Sequence, residues 1–214
     1  INLTDFDAKK YNLTFFKLFL FSFLSTKKVK NLINKSINDQ INFFLTNFNI
    51  KKNIVYLDGH QHVHILPVVQ NEIKKIFKKK KIHYKLRYVN EYFCFFFNFK
   101  FFFKILINYL KLFIIKFSYL FFKQNKNIYN TNFIGVIGTG IQNKKLIFKA
   151  ISKIPKKKNY TQILFHPLKV KKKELKRYNL NYKDYEYYLS KTRINEINFF
   201  SSFKSKDFFL KEII

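Results

Sequence analysis

The segment Asp58-Gly59-His60-Gln61-His62-Val63-His64 gathers three of the chain's five histidines, an aspartate and one of its four glycines in one short stretch. Imidazole nitrogen suits zinc and other borderline cations, and a neighbouring carboxylate can bind a metal or orient a liganding ring. On an extended backbone, side chains at i, i+2, i+4 and i+6 share one face. Asp58, His60, His62 and His64 would then converge on a single patch. The competing reading is a structural polar cluster, since a single histidine on an apolar face is usually a satisfied core residue. Three alternating histidines behind an aspartate, entered from the apolar run Ile54-Val55-Tyr56-Leu57, favour a metal-dependent catalytic site.

The surrounding elements must bring further polar groups to that patch. Ile54 to Leu57 reads as a strand, and Val69, Ile73, Ile76 and Phe77 then recur at helical spacing behind Pro67, where a helix can begin. His83 to Val89 reads as a second strand, followed by a long amphipathic segment reaching Phe122. Asn132 to Ile137 reads as a third strand, closed by Gly138-Thr139-Gly140. Ile147, Ala150, Ile151 and Ile154 form a helical stripe, and Thr161 to Phe165 reads as a fourth strand running into His166-Pro167. Strands separated by helices imply an α/β fold with a parallel sheet, and active sites of such sheets gather at the carboxyl ends of the strands. Asp58 and His60, Arg87, the Gly138 to Gly140 turn and His166 all fall at the carboxyl end of a strand. Before residue 50 the pattern is weaker. Asn38 to Phe48 reads as a helix with Ile41, Phe44, Leu45 and Phe48 inward, while residues 5–24 are a Phe- and Lys-rich stretch with no evident chemistry.

A length of 214 residues suits a single domain with a real core. The composition, with 30 Phe, 14 Tyr, 4 Gly, 3 Pro and neither Met nor Trp, favours residues of A- and T-rich codons. A formal charge of +30 would ordinarily raise nucleic-acid binding. The lysines are spread along the chain and sit in no recognisable nucleic-acid module, so a solvated basic surface is expected, with no specific nucleic-acid partner. The single cysteine, Cys94, cannot form an intrachain disulfide and reads as a small core hydrophobe; a cytoplasmic location is expected. The stretch from Tyr92 to Phe122 is interrupted by Lys100, Lys104, Lys111 and Lys116, and no uncharged run approaches the ~20 residues a membrane-spanning helix needs. It reads as an amphipathic helix covering a core.

With these motifs in view, the chain resembles the YdjC-like family, the carbohydrate deacetylases of the ChbG/HpnK type. The likeness is carried by Asp58-Gly59-His60-Gln61-His62-Val63-His64 with Pro67, by Leu86-Arg87, by Phe133-Ile134-Gly135, by Ile163 to Pro167 and by Arg193-x-x-Glu196. It runs from about residue 38 to the end in the family's order. The resemblance implies a distorted, barrel-like parallel βα fold. It also implies a divalent ion, Mg2+ or Zn2+, with His60 as metal ligand. His166 and Asp58 would be catalytic, and Arg87, His62 and His64 would meet substrate, although a structural role for His64 is an equal alternative. Ile1-Asn2-Leu3-Thr4 resembles the tail of the family's Gly-x-His-Leu-Asn-Leu-Thr motif. Its histidine would fall before Ile1, and the family's opening Asp-Asp pair further upstream. Asp5, Asp7 and Asp39 do not take that place. On this expectation the chain lacks its first βα segment, and by itself is hydrolytically inactive.

Removal of an acetyl group from an N-acetylated sugar needs activated water, a stabilised oxyanion and a proton for the leaving amine. A metal serves the first two and a histidine the third. Arg87 can polarise substrate through its fixed fork of donors or form a salt bridge at a strand end. Arg193 and Glu196, three apart on a helix, can simply pair. Two other readings compete. An amidohydrolase-like metal hydrolase would need histidines on later strands, where His83 stands at a strand start and only His166 follows. A non-catalytic basic binding protein of the same fold would keep its histidines for structure. The expected partner is an N-acetylated carbohydrate, and a homodimer stays open.

Overall fold

The structure is a computed structural model that describes residues 14–24, 26–47, 54–121, 127–155, 161–166, 189–190, 193–194 and 196–198. The chain divides into two compact units, Ile1–Asn90 with Phe113–Thr131 and Glu91–Leu112 with Asn132–Ile214.

In the first unit, helix α1 (Phe15–Leu24) is followed by α2 (Lys27–Asn47). Thr26 caps α2, its hydroxyl accepting from Val29 N at 3.4 Å. Helix α2 begins well before Asn38 and buries the stripe Ile33, Ile37 and Ile41. Phe44, expected inward, is 42% exposed, although it continues the face of Ile33, Ile37 and Ile41 into the last turn of the helix. Phe48 lies outside the described residues. Strand β1 (Ile54–Leu57) alternates outward Ile54 and Tyr56 with inward Val55 and Leu57. A 3-10 segment (His60–Ile65) leads to α3 (Pro67–Lys80), where Pro67 occupies the first turn and needs no amide partner. Val69, Ile73, Ile76 and Phe77 form its buried stripe, as the spacing predicts. Buried Glu72 is satisfied by Asn34 Nδ2 at 2.8 Å and Lys75 Nζ at 2.7 Å. Strand β2 (His83–Asn90) pairs parallel with β1, from Ile54 opposite His83 to Leu57 opposite Leu86.

Helix α4 (Phe102–Leu120) passes from the second unit into the first. It is shorter than the expected amphipathic segment. Residues 91–98 precede it as an irregular stretch that Tyr109 organises, donating to Cys94 O at 2.7 Å and accepting from Phe96 N at 2.8 Å. Cys94 is buried, and burial, then the nearby Glu91, pushes its thiol up to about 11, as suits a packing residue. Strand β3 (Ile128–Ile134) starts earlier than expected and stops short of Ile137. In the second unit it pairs parallel with β4 (Thr161–Ile163), Asn132 opposite Thr161 and Ile134 opposite Ile163. Between them lies α5 (Lys144–Ile151), capped by Asn143, whose Oδ1 accepts from Leu146 N at 3.0 Å. Strand order follows chain order, β1-β2-β3-β4. The α/β class with parallel strands expected from the alternation is the one observed.

Candidate functional site

The histidine segment does not continue the strand. After Leu57 the backbone stays extended only through Asp58 and Gly59, then coils into the 3-10 segment with Gln61 at φ 52° and His62 at φ 61°. Gly59 O accepts from His62 N at 2.8 Å, and Val63 O accepts from Leu66 N at 3.0 Å. The expected single face of Asp58, His60, His62 and His64 is therefore replaced by a tight turn. The cause lies in His64, whose ring finds two backbone partners by folding back under the end of β1. Its Nδ1 accepts the Gly59 amide at 2.8 Å, and its Nε2 meets Arg87 O at 2.7 Å. An amide can only donate and a carbonyl only accept, which assigns the proton to Nε2. Gly59 has no room for a side chain here, since a Cβ would lie 2.9 Å from both the amide nitrogen and Nδ1 of His64.

His64 is fully buried, and burial lowers its pKa from 6.5 to about 4, with Asp58 and the Arg87 carbonyl pulling upward and the Arg87 guanidinium downward. It is a neutral imidazole with both nitrogens engaged, which leaves no lone pair for a metal. Asp58 completes the arrangement. Its Oδ1 accepts the same Gly59 amide at 2.9 Å, and its Oδ2 accepts from the Arg87 guanidinium. Asp58 remains half-exposed, whereas Arg87 is largely covered. His62 is buried, its ring edge-on to His64 at 6.4 Å. His60 is exposed at the start of the turn.

Among the described residues, no three His, Cys, Asp or Glu side chains are grouped to hold a metal ion. Of the three clustered histidines, His60 has the exposure a ligand needs and His64 has neither exposure nor a spare nitrogen. One imidazole fits as one ligand; a complete set is not assembled by the described residues. Asn2, Leu3, Thr4, Asp5, Asp7 and Pro167 lie outside them.

The second unit contains a polar arrangement of its own. Glu91, directly after β2, is 1% exposed. Its carboxylate accepts from Val136 N at 2.6 Å, Gly135 N at 3.2 Å and Ile137 N at 3.3 Å. These amides would otherwise continue β3, so the carboxylate explains why the strand ends at Ile134. Asn108 of α4 donates to Ile137 O at 2.9 Å and Thr139 O at 3.1 Å, and Lys104 Nζ to Gly140 O at 3.2 Å. Gly140, at φ 69°, takes the left-handed conformation this turn requires. His166 follows β4 half-buried, and its amide donates to Glu196 Oε2 at 2.6 Å. Glu196 is 1% exposed, and burial raises its pKa against the pull of that amide, Arg193 and Lys104. Arg193 is buried beside it on the same helical turn. Sequence reasoning singled out the Gly138 to Gly140 turn but not the side chains that hold it, Asn108 and Lys104, nor Glu91, which holds the amides leading into it. Glu91 did carry one signal: an acid at a strand end, in a chain with 42 Lys and Arg against 12 Asp and Glu.

Parallel strands separated by helices, with a histidine-rich turn after β1 and a glycine turn after β3, define an α/β protein. The YdjC-like protein family model matches residues 8–211, and the chain belongs to this family of carbohydrate-deacetylase-related proteins. No curated protein and no solved structure matches the chain.

Proposed function

We propose that this protein contributes a divalent-metal-dependent hydrolase site that removes the acetyl group from N-acetylated sugars of the chito-oligosaccharide or N-acetylglucosaminyl type. The observation that carries the reading is the division of labour within one motif. His64 is locked as a neutral structural ring, while His60, at the other end of the same turn, is exposed. His60 is the candidate ligand, for Mg2+ or Zn2+, and groups outside the described residues would complete the set. When bound, such an ion lowers the pKa of a water and polarises the acetyl carbonyl.

The chain's own residues divide the remaining work. Asp58, fixed by the Gly59 amide and the Arg87 guanidinium, gives the entry to the turn a defined carboxylate. Arg87 sets its orientation and, with His62, contributes the polar wall that receives the sugar. His166, which follows β4, is the candidate for returning a proton to the leaving amine. The Glu196 carboxylate fixes the backbone from which His166 projects.

The assay is acetate release from N-acetylated chito-oligosaccharides with added Mg2+ or Zn2+. It uses a chain carrying the family's Asp-Asp and Gly-x-His segments ahead of Ile1. Metal-dependent release, lost on chelation and reduced about a hundredfold or more by His60→Ala, is the expected result. Release that ignores both chelation and His60→Ala overturns the proposal.

A further inference from the structure

Helix α4 is apolar on two sides. In its last turns it buries Leu112, Ile114 and Ile115, yet Phe113 is 60% and Leu120 65% exposed. A helix that only covers a core needs one apolar stripe. Helix α1, in the same unit, does likewise: Phe15 and Leu18 are buried, while Phe23 is 54% and Leu24 77% exposed. The outward rings of the two helices touch. Phe19 lies 5.4 Å from Phe23 and 6.3 Å from Phe117, Phe23 lies 6.2 Å from Phe121, and Phe117 lies 5.3 Å from Phe121, centroid to centroid. Phe113 continues the row, 6.4 Å from Phe117. These are not scattered surface residues but one aromatic strip, the kind of surface that marks an interaction site.

Charge decides what fits on it. Neither α1 nor α4 contains an Asp or Glu, and α2 contains only Asp39. Lys17, Lys27, Lys28 and Lys30 are exposed on α1 and the first turn of α2. With a formal charge of +30, two copies of the chain repel one another, whereas an anionic surface attracts either. No helix among the described residues is long and apolar enough to cross a membrane. An apolar aromatic face on helices that carry lysines and almost no acids is the pattern of a helix that lies in the headgroup boundary, where lysine stems can run along apolar surface to reach the phosphates.

We propose that the α1 and α4 aromatic face docks on an anionic lipid bilayer, its phenylalanines entering the headgroup boundary and its lysines pairing with the lipid phosphates. Protein–lipid attraction by charge alone would need only the lysines, so the experiment must report the rings. The chain has no tryptophan, which makes Phe117→Trp a single fluorescent reporter at the centre of the strip. Vesicles of phosphatidylcholine with and without phosphatidylserine are the probe, in about 0.1 M and about 0.5 M salt to separate screened from unscreened attraction. The expected result is a blue shift of the reporter's indole emission on phosphatidylserine vesicles only. Sedimentation should show vesicle partitioning that partly survives the higher salt and falls about tenfold or more in a Phe23→Ser, Phe117→Ser double variant of unchanged circular dichroism. Equal partitioning of the double variant, or binding without a blue shift, would mean a charge effect only and overturns the proposal. A dimer in gel filtration that the double variant abolishes would assign the face to a second copy and overturn it too.

Discussion

The turn after β1 and the turn after β3 are both fastened by buried polar groups, in opposite ways. After β1, a neutral imidazole bridges an amide and a carbonyl, and all participants but Arg87 fall between Asp58 and His64. After β3, a carboxylate gathers three successive amides from 44 to 46 positions away in sequence. The first arrangement leaves an exposed histidine at its edge. The second leads into a glycine turn held by Asn108 and Lys104. Burial of a neutral ring asks little of its surroundings, whereas burial of a carboxylate is tolerated only because each oxygen is met by donors.

This contrast orders the expected damage. Glu91→Leu should have the largest effect, because it leaves the buried amides of Gly135, Val136 and Ile137 without their acceptor. At about 1–3 kcal/mol for each unsatisfied group, the loss is about 3 kcal/mol or more. Chemical denaturation measures it, and a loss below about 1 kcal/mol would break the comparison.

His64→Leu comes next. It removes the partner of the Arg87 carbonyl and leaves the Gly59 amide with Asp58 Oδ1 alone, at about 1–3 kcal/mol near neutral pH. Its signature is in the pH dependence. His64 titrates near 4 in the fold and near 6.5 when unfolded, so between those values the unfolded chain binds the proton more readily. The stability tied to the neutral ring is complete above about pH 6.5 and is lost as the pH falls toward 4, on the order of 3 kcal/mol in all. Denaturation midpoints from pH 7 to 4 should fall less steeply in His64→Leu than in the parent chain.

Asn108→Ala should cost about 1–2 kcal/mol through two lost bonds to backbone carbonyls. The smallest effect belongs to His60→Ala, an exposed position, with a change within about 0.5 kcal/mol. A large loss at His60 would show that the exposed histidine also fastens the turn.

Much of the architecture is legible from the chain because it depends on local periodicity. Ile54 to Leu57, the Val69 to Phe77 stripe and His83 to Val89 are strand, helix and strand as the patterns predict. The failures have particular causes. Alternation of Asp58, His60, His62 and His64 suggests an extended face, but a ring able to bond both Gly59 and Arg87 bends the backbone into a turn. Extension of β3 to Ile137 is suggested by apolar content, but Glu91 takes those amides. Arg87 and Glu91 are both distant in sequence from the turns they hold, and periodicity carries no information about such long-range bonds. The same limit applies to α4, whose spacing predicts an amphipathic helix but not that its phenylalanines face outward.

The central claim is that one histidine of the motif is presented for chemistry while another is locked into structure. Imidazole nitrogen NMR of the intact chain, recorded during titration with Zn2+, tests this directly. The account predicts that His64 shows a neutral ring protonated at Nε2 whose signals do not move with metal, while those of His60 shift or broaden. A His64 ring protonated at Nδ1, or His64 signals that move with Zn2+ while those of His60 stay fixed, would contradict it.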